Sequence, residues 1–102
     1  MSVVIELTLH AKLGHFQEVV DAYSQFCQQF QEMEPDAQTI YLTADPGSGL
    51  IRGIVIYNHA NVAETVNSRP FFAQFMDSIE PMLTTAPERI ELQLLQSWQT
   101  AL

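Results

Sequence analysis

Apolar residues recur at every second position near the start of this chain. Val3, Ile5, Leu7 and Leu9 alternate with Val4, Glu6, Thr8 and His10, which is the period of a β-strand. Both sets carry apolar members, so both faces of this strand are expected to be at least partly covered. Ala11 to Gly14 make a turn, and the period then lengthens. Phe16, Val19, Val20, Tyr23, Phe26, Cys27 and Phe30 form one stripe on a helix, with Gln17, Glu18, Asp21, Gln25, Gln28 and Gln29 lying off it. Pro35 and Asp36 end that helix. Thr39 to Thr43 reads as a short strand, Asp45-Pro46-Gly47-Ser48-Gly49 as a turn, and Leu50 to Tyr57 as a third strand, so these two strands form a hairpin with a loop of about five or six residues.

Asn58-His59-Ala60-Asn61 leads into a second helix, with Asn58 or Asn61 as its N-cap. Val62 and Val66 begin its stripe. Ser68-Arg69-Pro70 resembles a fresh helix start, with Ser as cap and Pro in the first turn, so the helix is expected to break there. Phe71, Phe72, Phe75, Met76, Ile79, Met82 and Leu83 continue the stripe, and Pro81 and Pro87 bracket its end. Arg89 to Trp98 reads as the last strand, with Ile90, Leu92 and Leu94 alternating against Glu91 and Gln93.

The order βαββαβ predicts an α+β domain of the ferredoxin-like kind, an antiparallel sheet with both helices on one face. At 102 residues the chain, 1–102, makes a single domain. The other sheet face would carry Val4, Ile54 and Ile56 beside Glu6, Thr8, His10 and Arg52. An apolar patch of that kind predicts a homodimer through the open sheet face, with Glu6, His10 and Arg52 pairing on that face, within a monomer or across the dimer. The apolar alternation ends before the chain does, so the segment holding Trp98 is expected to pack on the partner subunit.

Composition narrows the partners. The net charge is −8, from twelve acidic and four basic residues, and Lys12, Arg52, Arg69 and Arg89 are scattered. Without clustered cations there is no footprint for nucleic acid or for an anionic membrane. No apolar run is long enough to span a bilayer. No basic flank with an apolar stretch and cleavage site precedes the first strand, so no secretory leader is expected and a cytoplasmic location is. Cys27 is the only cysteine and falls on an apolar helix face, where it reads as a small core residue. The three His have no ligand spacing, so no metal is expected.

Val55-Ile56-Tyr57-Asn58 followed by Ser68-Arg69-Pro70-Phe71-Phe72-Ala73-Gln74-Phe75 resembles the antibiotic-biosynthesis-monooxygenase-like dimeric α/β-barrel family. The likeness extends over the first strand and Gly14. It implies two ferredoxin-like subunits with sheets face to face, and a pocket between sheet and helices. It further implies cofactor-independent monooxygenase chemistry on a small aromatic molecule of anthrone or quinol type, with no cofactor. This chain departs from the family at marked places. The Glu-x-Trp that closes the third strand aligns with Val55-Ile56-Tyr57, and the His of the second helix aligns with Val66. The Asn of the haem-degrading branch aligns with Leu7, which excludes that branch. The alternative is a non-catalytic dimeric module of the same fold that binds a small ligand or scaffolds a partner.

The candidate chemistry follows from these positions. Tyr57 matches the family's Trp and His59 follows the same strand, so both are candidates to position an acidic phenol or enol. Tyr23, Tyr41, Asn58, Phe72 and Trp98 are candidates to hold the substrate, since amphipathic aromatics pack on a flat ring and donate hydrogen bonds to its oxygens. Each has a plainer reading: Tyr23, Tyr41, Tyr57 and Trp98 as ordinary packing, Phe72 as core, His59 as a loop residue beside a helix cap. His10 is a possible base on its strand face or, more plainly, an interfacial polar residue. His15 opens the first helix and is expected to be exposed.

Overall fold

The computed structural model describes residues 2–33, 37–58 and 70–100. The elements run β1 (Val3–His10), α1 (Phe16–Met33), β2 (Ala37–Asp45), β3 (Leu50–Tyr57), α2 (Pro70–Ile79), a 3-10 turn (Glu80–Met82) and β4 (Glu88–Gln93). The strands form one sheet in the order β2-β3-β1-β4, with every neighbouring pair antiparallel. This is the ferredoxin-like α+β arrangement that the alternation of periods predicts. The expected N-cap at Asn61, the stripe residues Val62 and Val66, and the break residues Ser68 and Arg69 lie outside the described residues. The described part of the helix, α2, runs from Pro70. Proline suits a first turn because the N–H there has no helical partner to lose.

Register decides which residues meet the helices. Leu7 lies opposite Gly53 and Leu9 opposite Ile51, while Leu42 and Ala44 extend those rows onto β2. Leu9, Ile51, Val19 and Ile79 are fully buried between sheet and helices. A second cluster of Val3, Ile5, Phe30 and Tyr57 closes the other end of the same layer. The hairpin between β2 and β3 is tighter than expected, with four residues, 46–49, between strands. Asp45 ends β2 and also holds the turn: its Oδ1 accepts from the Gly47 N–H at 3.0 Å and its Oδ2 from the Ser48 hydroxyl at 2.8 Å. Gly49 leaves that turn at φ +78°, and a Cβ there would stand 2.8 Å from the Ala11 carbonyl oxygen, so only glycine fits without strain.

The remaining face is open. Val4, Ile54 and Ile56 lie on it as expected, joined by Tyr41 on β2 and by Ile90 and Leu92 on β4. Tyr41 is 54%, Leu92 49% and Ile90 46% exposed. Within the monomer Arg52 does not pair with Glu6 or His10. Its Nε donates to the Thr8 hydroxyl at 3.1 Å, because Thr8 is its direct cross-strand neighbour and Glu6 lies two residues along β1. The last strand is also shorter than expected. β4 ends at Gln93, and the Leu94 N–H donates to the Ser2 carbonyl at 3.0 Å. Beyond that point β1 offers no described backbone to pair with, and residues 95–100 run on with Leu95 and Trp98 exposed.

Candidate functional site

Between α1 and the sheet lies an apolar cavity of about 40 Å³. Its strand wall is Ile5 and Leu7 from β1, Ile40 from β2, and Gly53, Val55 and Tyr57 from β3. Tyr23, Phe26, Cys27 and Phe30 line it from α1, Phe72 from α2 and Arg89 from β4. The α1 set is one helical stripe, which explains why these four side chains face one place.

Five aromatic rings stand in the wall. Phe26 is their hub: it stacks on Phe75 at 4.4 Å between centroids and on Phe71 at 5.3 Å, and it meets Phe72 edge-on at 5.8 Å. Phe30 meets Tyr57 edge-on at 5.9 Å. Tyr23 is held still more tightly. Its ring packs against Phe75, and its hydroxyl lies on the backbone of Gly53, which hydrogen-bonds to it. A Cβ at residue 53 would overlap that hydroxyl and the ring edge, so the absent side chain of Gly53 is the space that Tyr23 fills.

Burial pushes the Tyr23 hydroxyl well above the ordinary phenol range, with the nearby Cys27 adding to the effect. Burial likewise pushes the Cys27 thiol up, to about 11. Both groups are therefore protonated at neutral pH, and neither can act as a base or a thiolate nucleophile there. The charged group in the described wall is Arg89. It lies opposite Leu7 on β4, and its Nη1 stands 3.9 Å from Glu91 Oε2 at an exposed edge. Its side chain is 31% exposed and lines the cavity.

The structure sorts the residues expected from the sequence. Tyr23, Tyr57 and Phe72 come together in the cavity wall. Asn58 is exposed at the end of β3 and is not part of that wall. Tyr41 belongs to the opposite face, because it pairs with Ile54 and so takes the phase of the open side. Trp98 lies on the terminal segment, 84% exposed and away from the cavity. His59 lies outside the described residues. His10 lies on the open sheet face, and His15 stands 3.3 Å from Glu18 at the start of α1. Arg89 was not singled out by the sequence, where it is one of four scattered cations. Its phase in the last strand separates it from Ile90 and Leu92, but only the pairing of β4 with β1 sets that phase on the helix side.

Among the described residues no helix is long and apolar enough to cross a membrane. No three His, Cys, Asp or Glu side chains among them come together as a metal site would require.

No family model matches the chain, and no curated protein matches it in sequence. Solved structures do match its fold. A protein from Caulobacter crescentus, provisionally named an antibiotic biosynthesis monooxygenase, superposes with a TM-score of 0.84 at 14% identity, over 93% of this chain and 91% of that one. A protein of the same provisional name from Deinococcus radiodurans gives a TM-score of 0.84 at 14% identity, over 97% and 98% of the two chains. SnoaB from Streptomyces nogalater, a cofactor-independent oxygenase solved as its N63A mutant, gives 0.80 at 12% identity over 94% and 95%. Identities this low carry fold and not activity. The chain has the ferredoxin-like fold of the antibiotic biosynthesis monooxygenases, and the resemblance seen around Tyr57 and Phe72 extends through its whole architecture.

Proposed function

We propose that the protein is a cofactor-independent monooxygenase acting on a small aromatic molecule in the cavity between α1 and the sheet. The observation that carries this reading is an apolar, partly aromatic cavity with one cationic residue, Arg89, in its described lining. Such a wall binds a flat ring, and a cation at its edge stabilises an anion developing on that ring's oxygen. The described wall holds no group that is a base at neutral pH. A substrate acidic enough to ionise beside Arg89, as a phenol, an enol or an anthrone is, suits such a wall. Its anion then supplies the electrons that dioxygen needs. For an anthrone the two C–H bonds of the reacting carbon break, one oxygen atom becomes the new carbonyl, and the other leaves as water with both hydrogens. SnoaB, a cofactor-independent oxygenase, shares the fold, which supports the same reading.

The assembly proposed with it is a homodimer through the open sheet face. It is supported by the exposure of Tyr41, Ile90 and Leu92 beside Val4, Ile54 and Ile56, an apolar surface that water alone would leave unfavourably hydrated. A stable dimer of this kind buries on the order of 1,200–2,000 Å². A cytoplasmic location completes the proposal, in keeping with an unpaired Cys27.

The test is oxygen uptake by purified, metal-free protein with anthrone- and quinol-type substrates. Arg89→Ala should lower turnover by about 10²–10³, the effect of removing one group that stabilises a developing anion. Tyr57→Phe and His59→Ala should each lower it less. Ligands that raise the melting temperature without any oxygen uptake would point instead to a non-catalytic binding module.

A further inference from the structure

We infer that Phe72 is the gate of this cavity, and that it limits what enters to a single aromatic ring, lodged where the Phe72 ring now lies beside Phe26. This deepens the proposed function by narrowing its substrates from anthrones to single-ring phenols and enols, and it rests on that reading for the identity of the site. The first observation is one of size. The cavity has about 40 Å³ of room. An apolar cavity that takes up benzene has roughly 150 Å³. The shortfall is itself of the order of one ring, so an aromatic ligand can enter only if a ring-sized group leaves.

The described wall offers one aromatic ring that can move cheaply. The strand residues are fixed by the ladders of the sheet. Tyr23 is pinned by Gly53, and Phe30 lies between Tyr57 and Phe71. Phe26 meets five other rings. Phe72, partly exposed as Phe26 is, meets only Phe26 among the described rings. It sits in the first turn of α2, where a change between the two χ1 wells allowed to a helical phenylalanine leaves the backbone hydrogen bonds untouched. A ligand ring in the vacated place would inherit the edge-on contact with Phe26, which is worth keeping for an aromatic pair. The Phe72 ring and the ligand ring are thus alternatives for one site, and their similar size sets the limit.

The experiment is a binding series with phenol, 1-naphthol and anthrone, read by calorimetry on the intact protein. Wild type should bind phenol and bind 1-naphthol and anthrone at least tenfold more weakly. Phe72→Ala, whose site is already vacant, should bind phenol about tenfold more tightly and should accept 1-naphthol. Phe71→Ala removes a ring from the same cluster that does not line the cavity, and it should leave the size preference as it is. Should Phe72→Ala fail to fold, Phe72→Leu keeps most of the packing and should shift the preference in the same direction. Equal binding of phenol and naphthol by wild type, an unchanged preference in the Phe72 variants, or no binding by either protein would each overturn the gate. Binding in this size order without oxygen uptake would leave the gate standing and remove the oxygenase reading.

Discussion

On the helix-covered face of the sheet, Leu9 and Ile51 are wholly buried, while on the opposite face Leu92 and Ile90 stay nearly half exposed. The four residues are equally apolar and lie within the same four strands. What separates them is the phase of each strand relative to β1, because residues that pair with Leu7 or Leu9 meet helices and residues that pair with Val4 or Glu6 meet water. The two faces therefore do different work. One holds the domain together and encloses the cavity. The other contributes little to the isolated chain and is available to a second copy.

That contrast breaks most sharply under truncation. Ile51→Ala should destabilise the chain by about 2–5 kcal/mol, the cost of a cavity at a fully buried site, whereas Leu92→Ala should stay within about 0.5 kcal/mol in dilute protein. Urea titration measures both, and comparable losses would show that the faces are not distinct. A smaller effect of opposite kind is expected at Gly53. Adding one methyl group there forces Tyr23 out of its place, and Gly53→Ala should cost about 1–3 kcal/mol in the same titration, with Tyr23→Phe restoring only part because the ring edge overlaps as well.

The open face is probed by charge. The double variant Ile54→Asp, Leu92→Asp should sediment as a monomer at micromolar concentration and keep its urea midpoint close to that of dilute wild type. A dimer as tight as the original would show that this face is not the contact. The smallest effect is a pH dependence of the covered face. Cys27 is raised from 9.0 to about 11 by burial, and Tyr23 is raised also. Above pH 9 the unfolded chain begins to lose protons that the folded chain keeps, so stability is full below that pH and falls as the pH climbs toward 11. Alkylation of Cys27 should stay slow over the same range. A urea midpoint that is flat or rising from pH 9 to 10.5 would contradict this.

Much of this architecture is legible from local pattern. The alternation of β1 and β3, the stripe on α1 and the stripe of α2 from Phe71 to Ile79 are each fixed by neighbours within a few residues, and each appears where the pattern puts it. The residues that pattern does not place are on edge strands. β4 is amphipathic whichever face is considered, so alternation separates Ile90 and Leu92 from Arg89 and Glu91 without saying which pair faces the helices. Pairing with β1 settles it, and that contact spans most of the chain. Arg89 was missed for this reason. Tyr41 was expected in the site because of its chemistry, although its phase between Ile40 and Leu42 already set it on the other side. Trp98 was read into a longer strand because nothing in the sequence says where β1 stops offering partners.

That terminal segment has one further consequence. Trp98 is the only tryptophan of the chain, and it lies far out of the apolar layer that holds the cavity. Its emission is thus a built-in optical label for the surface alone. Occupancy of the cavity should leave its colour unchanged, and any blue shift on concentrating the protein would record the moment at which another molecule covers the end of the chain.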